Sequence, residues 1–169
     1  MTKNPHIVLF LAENNFSDIE YIKIKNRLTN EKIPFSILSI SNNYCKSDKN
    51  RTLAPNLKLY NFKPLNFDAL ILVGGSGILN YLENELLKKI VITFKEQNKY
   101  IAAICSAPIL LDNFNILRNS EITCYPENKH LLKNNTFTSK TITIHDKIIC
   151  AQSYNEAIEM VNLLIKKLR

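Results

Sequence analysis

Short apolar runs alternate with stretches of helical spacing along this chain. His6 to Ala12 (HIVLFLA) is apolar almost without a break, the pattern of a strand buried on both faces. Glu13 to Phe16 reads as a loop. Ser17-Asp18-Ile19-Glu20 then opens a helix running to about Asn30, with Ile19, Ile22, Ile24 and Leu28 as its inward positions. Ser17 and Glu20 stand at capping-box spacing. Pro34 precedes a second strand, Phe35 to Ile40. Asn42 to Arg51 is polar and reads as a surface segment, Leu57 to Tyr60 as a short strand, and Lys63 to Asn66 as a loop. Ala69 to Val73 is another buried strand, ending at Gly74-Gly75-Ser76-Gly77. From about Asn84 to Gln97 a helix is predicted, with Leu86, Leu87, Ile90, Val91 and Phe94 at helical spacing. Tyr100 to Ile104 is the next buried strand. Ile122 to Cys124 reads as a short strand ending at Tyr125-Pro126, and Asn128 to Ser139 as irregular. Thr141 to Ile144 and Ile148 to Ala151 flank His145-Asp146-Lys147, a predicted hairpin turn. Ser153 to Leu168 is a closing amphipathic helix, with capping-box spacing again at Ser153 and Glu156. Strands alternating with helices predict an α/β fold, a mostly parallel sheet with helices on both faces. No repeat, linker or low-complexity stretch divides the 169 residues, so one domain over 1–169 is expected.

Composition narrows the class further. Hydrophobic residues make up 46% of the chain, which fits a globular fold, and no apolar run reaches membrane-spanning length. The N-terminus lacks the basic-then-apolar pattern of a signal peptide, so a cytoplasmic protein is expected. Cys45, Cys105, Cys124 and Cys150 are widely spaced with no CxxC pair, which argues against a zinc ribbon or a thioredoxin motif. Free thiols in a reducing compartment are expected. The histidines and cysteines show no ligand spacing, so no metal is expected; no cofactor is expected either. The net charge of +7 is compatible with nucleic acid. The basic residues are scattered, however, apart from Lys46, Lys49 and Arg51 and the terminal Lys166-Lys167-Leu168-Arg169, which is the pattern of a solvated surface. All three glycines of the chain fall in one turn, at Gly74, Gly75 and Gly77. That turn either needs a positive φ or admits a close backbone approach to a ligand.

Tyr100 to Leu111 carries the sharpest chemical signal. Its first half suits a buried strand, and its second half suits a helix with Pro108 in the first turn, where a missing N–H costs nothing. Cys105 sits at the junction. A side chain on a sharp strand-to-helix turn is held out over the carboxyl edge of the sheet. There it faces the unpaired N–H groups and the positive end of the new helix, which push a thiol towards thiolate. The other reading of Cys105 is a buried cysteine packing as a small hydrophobe.

Several segments together resemble the DJ-1/PfpI superfamily, over nearly the whole chain. Phe16-Ser17-Asp18-Ile19-Glu20 is similar to its acidic segment after the first strand, and Leu72-Val73-Gly74-Gly75 to its glycine turn. Ala102-Ala103-Ile104-Cys105-Ser106-Ala107-Pro108 is similar to its nucleophile elbow, and Thr123-Cys124-Tyr125-Pro126 to the segment that follows. The resemblance implies a flavodoxin-like three-layer sandwich with a reactive Cys105. It implies that a protonated Glu20 contacts the sulfur, its pKa raised because two anions in one site repel. It implies that the backbone N–H groups of Gly75 and Ser106 form an oxyanion hole beside Gly74. Glu20 is read either this way or simply as the capping-box glutamate, and Tyr125 either as a donor to a substrate oxygen or as packing.

Departures from the family pattern constrain the function. Protease-like members carry a histidine directly after the cysteine, where this chain has Ser106, which argues against peptidase activity. Among the other histidines, His6 begins the first strand at its far end and His145 sits in the predicted hairpin. His130 is either a base near Cys105 or a surface residue. Gln152-Ser153-Tyr154 stands where many relatives have an arginine before a proline-containing pair. The chain stops after the Ser153–Leu168 helix, so a more open cleft is expected. Cys124 and Cys150 are read as packing residues or as partners for an oxidised Cys105, and Cys45 as exposed. Two functions follow from the resemblance. One is a cysteine-dependent glyoxalase or deglycase acting on a small reactive carbonyl. The other is a redox-responsive stress protein or chaperone whose Cys105 is oxidised to sulfinate. A homodimer is also implied. A scaffold whose chemistry has decayed is the third reading.

Overall fold

In the computed structural model, which describes residues 4–40 and 43–169, the first apolar run forms β1 (Ile7–Phe10), every residue of it buried. A short strand, β2 (Asn14–Phe16), occupies the expected loop, and α1 (Asp18–Asn30) follows. Ser17 caps α1 and accepts a hydrogen bond from the Glu20 N–H at 3.5 Å. The inward face of α1 carries Glu20, Tyr21, Ile24 and Leu28, whereas Ile19 is 43% exposed. The expected inward position for Ile19 is therefore wrong: in the first turn the buried direction belongs to the glutamate. Next come β3 (Phe35–Ser39), β4 (Cys45–Ser47), β5 (Thr52–Leu53) and β6 (Leu57–Lys58).

The expected polar surface segment starts outside the described residues, at Asn42, and its described part is partly structured. β4 pairs with β2 and β5, and Cys45 is fully buried, not exposed. An in-out-in alternation of three residues is too short to read as a strand. The predicted strand at Leu57 stops at Lys58 and turns into a 3₁₀ segment (Leu59–Asn61), and a second one occupies Pro64–Asn66.

β7 (Ala69–Leu72) and β8 (Tyr100–Ile104) are the next buried strands, with α2 (Glu85–Glu96) between them. Asn84 caps α2 by accepting from the Leu87 N–H at 2.8 Å. Leu87, Ile90, Val91 and Phe94 are buried, while Leu86 turns outward at 40% exposure. α3 (Pro108–Asn113) has Pro108 in its first turn. β9 (Glu121–Ile122) is shorter than expected and pairs with β10 (Thr136–Phe137), inside the stretch expected to be irregular. β11 (Ile142–His145) and β12 (Ile148–Ala151) form the predicted hairpin, closed by Asp146 at φ 52°. His145 lies in the strand and not in the turn. α4 (Ala157–Leu168) closes the chain after a 3₁₀ turn, with the Ser153–Glu156 capping box formed.

The main sheet has the order β11-β12-β8-β7-β1-β3-β6, parallel except for the β11–β12 pair. From its centre, β1 crosses over through α1 to β3 on one side, and β7 through α2 to β8 on the other. Right-handed crossovers in opposite directions place α1 and α2 on opposite faces. α4 packs beside α1. The result is a flavodoxin-like three-layer sandwich. The order reverses between β1 and β7, and the crevice outside their carboxyl ends is where this architecture places ligands.

Candidate active site

Three strand ends meet at that crevice. β8 ends at Cys105, whose φ of 62° makes a left-handed turn in a residue with a Cβ. Such a conformation costs about 1–3 kcal/mol and persists only where its surroundings enforce it. Here the Cys105 N–H donates to the Ala151 carbonyl at 3.0 Å, its carbonyl accepts from the Tyr125 N–H at 2.8 Å, and Ala107 N–H donates to Ile104 at 3.0 Å. The expected elbow is present, with the thiol turned out over the sheet edge.

Glu20 reaches the same point from α1. Its carboxyl meets the Ser17 hydroxyl, but the Ser17 N–H goes to the Gly74 carbonyl, so no capping box closes. Oε2 instead accepts from the Gly74 N–H at 2.8 Å, and the carboxyl contacts the Cys105 sulfur. Glu20 is 1% exposed. Gly74 makes this meeting possible: a Cβ there would lie 2.6 Å from the Ile104 carbonyl and 2.7 Å from both Cys105 Cβ and Glu20 Oε2. Gly74 also accepts from the Ser17 N–H at 2.9 Å, tying the start of α1 to the end of β7. Gly75 takes φ 105°, which a side chain resists, and its N–H points at the sulfur. The positive-φ reading of the glycine turn therefore holds, and the close approach at Gly74 is that of Glu20 and Cys105. The Ser106 hydroxyl lies 3.8 Å from the sulfur and accepts from Asn128 Nδ2 at 2.8 Å.

Burial first of all pushes the Glu20 carboxyl up to about 7, against the lowering effect of its hydrogen bonds from Gly74 and Cys105. Burial, and then the Glu20 carboxylate, push the Cys105 thiol up to about 12, while the Ser106 hydroxyl and the Gly75 N–H act the other way. The expected drift towards thiolate from the helix end alone is thus overturned: α3 is only six residues long, and burial outweighs it. The two groups titrate as a pair, holding two protons below neutrality and one above it. Thiolate is present in so far as that one proton sits on Glu20.

The sulfur opens onto a cleft of about 610 Å³. Ile19, Leu79, Tyr125 and Tyr154 give it apolar walls, and Asp48 and Lys49 stand at its rim. The hairpin that brings Asp48 and Lys49 is tied to α1: Asp48 accepts from the Asp18 N–H at 3.0 Å, and Arg51 pairs with Asp18 at 2.7 Å. Tyr125 is 38% exposed. Lys49, Asn128, Leu79 and Tyr154 were not singled out from the sequence as site residues. Lys49 and Asn128 come from stretches whose local pattern says only that they are polar, and nothing local marks Leu79 or Tyr154 as facing a cleft.

The remaining candidates are not brought in. None of the three histidines lines the cleft. His6 faces Ser36 at 3.0 Å, His130 Nδ1 lies 2.8 Å from the Glu127 carbonyl on an exposed turn, and His145 Nε2 is 2.7 Å from the Glu121 carbonyl. Cys124 and Cys150 are buried away from the cleft. Gln152 does not line the cleft either, so Lys49 is its one basic residue among the described residues.

The DJ-1/PfpI family model matches residues 6–167. A deglycase of Pyrococcus horikoshii is 31% identical over 119 residues, 70% of this chain and 72% of that protein. An uncharacterised protein of Methanocaldococcus jannaschii is 26% identical over 73% of this chain, and the match spans 61% of that longer protein. A glutathione-independent glyoxalase of Caenorhabditis elegans is 21% identical over 99% of this chain and 91% of its own length. The crystal structure of a ThiJ/PfpI domain protein from Brachyspira murdochii superposes with a TM-score of 0.92 at 20% identity, covering 98% of this chain and 97% of that one.

Proposed function

The chain belongs to the DJ-1/PfpI family, and from that premise we propose that it is a cysteine-dependent enzyme of glyoxalase or deglycase type, acting on reactive carbonyls through Cys105. The observation that carries this reading is the buried meeting of the Glu20 carboxyl, the Gly74 N–H and the Cys105 sulfur at one end of an open cleft. It pairs a nucleophile with a carboxyl that titrates near neutrality, where a general acid–base works best. The deglycase and glyoxalase named among the relatives support the same class.

In this reading the proton of the pair moves to Glu20, and the Cys105 thiolate attacks the aldehyde carbon of a 2-oxoaldehyde. A carbon–sulfur bond forms and the carbonyl electron pair moves onto oxygen. The N–H groups of Gly75 and Ser106 are the donors to that oxyanion. Glu20 returns its proton to the oxygen, giving a hemithioacetal. As a carboxylate again, it takes the C–H proton of the new centre and delivers it to the neighbouring carbon, while the hydroxyl proton passes to the neighbouring oxygen, which leaves a 2-hydroxy thioester. Water then cleaves the carbon–sulfur bond and restores the thiol. The net change is addition of one water to the aldehyde, giving a 2-hydroxy acid. A protein- or nucleotide-bound adduct of the same aldehyde is the deglycase form of the substrate. Peptidase chemistry is disfavoured, since Ser106 follows the cysteine and no histidine lines the cleft.

A second reading, a redox-responsive protein, is favoured by one observation: the sulfur is partly exposed and ringed by donors that suit a sulfinate. Two equivalents of peroxide would oxidise the thiolate, releasing two waters. Family membership also leads us to propose a homodimer, which light scattering tests directly. The discriminating experiment is conversion of methylglyoxal to lactate by the protein and by Cys105→Ser. Turnover lost in the variant supports the enzyme. Absence of turnover on methylglyoxal, on phenylglyoxal and on methylglyoxal-modified peptides overturns it, and peroxide-dependent chaperone activity would then establish the second reading.

A further inference from the structure

We infer that Asn128 is a positioning residue for the nucleophile: its side-chain amide turns the Ser106 hydroxyl towards the Cys105 sulfur, so that Ser106 donates to the thiolate. This rests on Cys105 being the reacting group, not on which carbonyl it takes.

The four groups form a closed ring of contacts. The Cys105 carbonyl accepts from the Tyr125 N–H at 2.8 Å, and the Tyr125 carbonyl accepts from the Asn128 N–H at 2.9 Å. Asn128 Nδ2 donates to Ser106 Oγ at 2.8 Å, and Ser106 Oγ lies 3.8 Å from Cys105 Sγ. The backbone half of the ring fixes where Asn128 stands relative to the elbow. The side-chain half fixes the hydroxyl. Ser106 is 4% exposed, so bulk water does not compete for it freely. A serine hydroxyl has one proton and two lone pairs. When an amide N–H occupies a lone pair, the proton is left for another acceptor, and the sulfur is the neighbour within reach for a hydrogen bond to sulfur. Such a bond strengthens when the sulfur carries charge. Ser106 and Asn128 thereby supply a fixed donor at the position directly after the cysteine.

The test is the pH profile of Cys105 alkylation by iodoacetamide, read by peptide mass spectrometry on the wild type, Asn128→Ala, Ser106→Ala and the double variant. The other ionisable groups facing the sulfur are Glu20 from α1, Asp48 and Lys49 from the β4–β5 hairpin, and Tyr125 and Tyr154 at the mouth; all are unchanged in these variants. The expected result is a profile displaced to higher pH, with the rate at pH 7 about tenfold lower in Ser106→Ala, the effect of one hydrogen bond to a charged group. Asn128→Ala moves in the same direction, and the double variant goes no further than Ser106→Ala alone, because Asn128 acts through the hydroxyl. A profile unchanged in Asn128→Ala, or a double variant whose displacement is the sum of the singles, overturns the inference. Cys124 and Cys150 report folding in the same digest, since both react only if the core opens. A Cys105 that is inert in the wild type would instead sink the proposed nucleophile itself.

Discussion

Glu20→Gln should stabilise the protein at neutral and alkaline pH while leaving it nearly unchanged in acid. The folded protein holds the Glu20 carboxyl at about 7 against an ordinary 4.5, because burial disfavours its charge. A carboxyl raised in the folded state favours folding while protonated. That contribution is fully present below 4.5 and is lost as pH rises through about 7. Each tenfold change is worth 1.36 kcal/mol, so the wild type loses about 3 kcal/mol between pH 4.5 and pH 8 through this one group. At 1% exposure Glu20 has little solvent to discount that figure. Glutamine keeps a carbonyl to accept from Gly74 N–H and never ionises. Urea unfolding of both proteins from pH 4.5 to 8 should show a stability gap opening by about 3 kcal/mol in favour of the variant. In parallel, the Cys105 alkylation profile should move to lower pH, because the variant lacks the carboxylate that pushes the thiol up. A gap that stays constant across the range would refute the shared buried proton, and with it the acid–base role of Glu20.

Gly74→Ala should destabilise by about 1–3 kcal/mol, the usual cost of overpacking, and should part Glu20 from Cys105, since the new methyl would meet both within 2.7 Å; unfolding midpoints and the alkylation profile check the two effects. Asp112→Ala should cost about 3 kcal/mol in urea unfolding, because the buried carboxylate accepts from the Lys133 and Asn134 N–H groups and from Asn135 Nδ2, all left wanting an acceptor. Arg51→Gln should cost less than about 1 kcal/mol, and less still in high salt, because its pair with Asp18 is partly open to solvent; a larger, salt-independent loss would show that the β4–β5 hairpin is held mainly by this ion pair.

The parts of this molecule that were legible from sequence are the ones fixed locally. Buried parallel strands must be apolar throughout, so β1, β7 and β8 stand where continuous apolar runs stand. Ser153 and Glu156 form their capping box because both partners lie within one turn. The misreadings are long-range. Ser17 and Glu20 have the same spacing as Ser153 and Glu156, yet the Glu20 side chain goes to Gly74, 54 residues away. The sequence draws attention to the Tyr125 side chain, whereas its backbone N–H is what holds the elbow. Asn128 and Lys49 lie in polar stretches that no periodicity distinguishes from ordinary surface, and only the fold brings them to the cleft.

What joins these residues is that each breaks a local rule at the same place. Glu20 buries an acid in the first turn of a helix, Cys105 holds a φ of 62°, and Gly75 holds 105°. They come from separate crossover units and converge only because the strand order reverses between β1 and β7. The buried acid and the positive-φ cysteine each lower stability by themselves, and none of the three features helps the sheet to form. A fold that needed only to be stable would place Gln or an apolar residue at position 20 and a glycine at position 105. The chain instead carries a titratable acid against the Gly74 amide and a thiol, on a strained backbone, against the Gly75 amide. That is the expected cost of keeping a proton and a nucleophile within one hydrogen bond of each other. The pH-dependent gain predicted for Glu20→Gln therefore measures how much stability the site gives up for its chemistry.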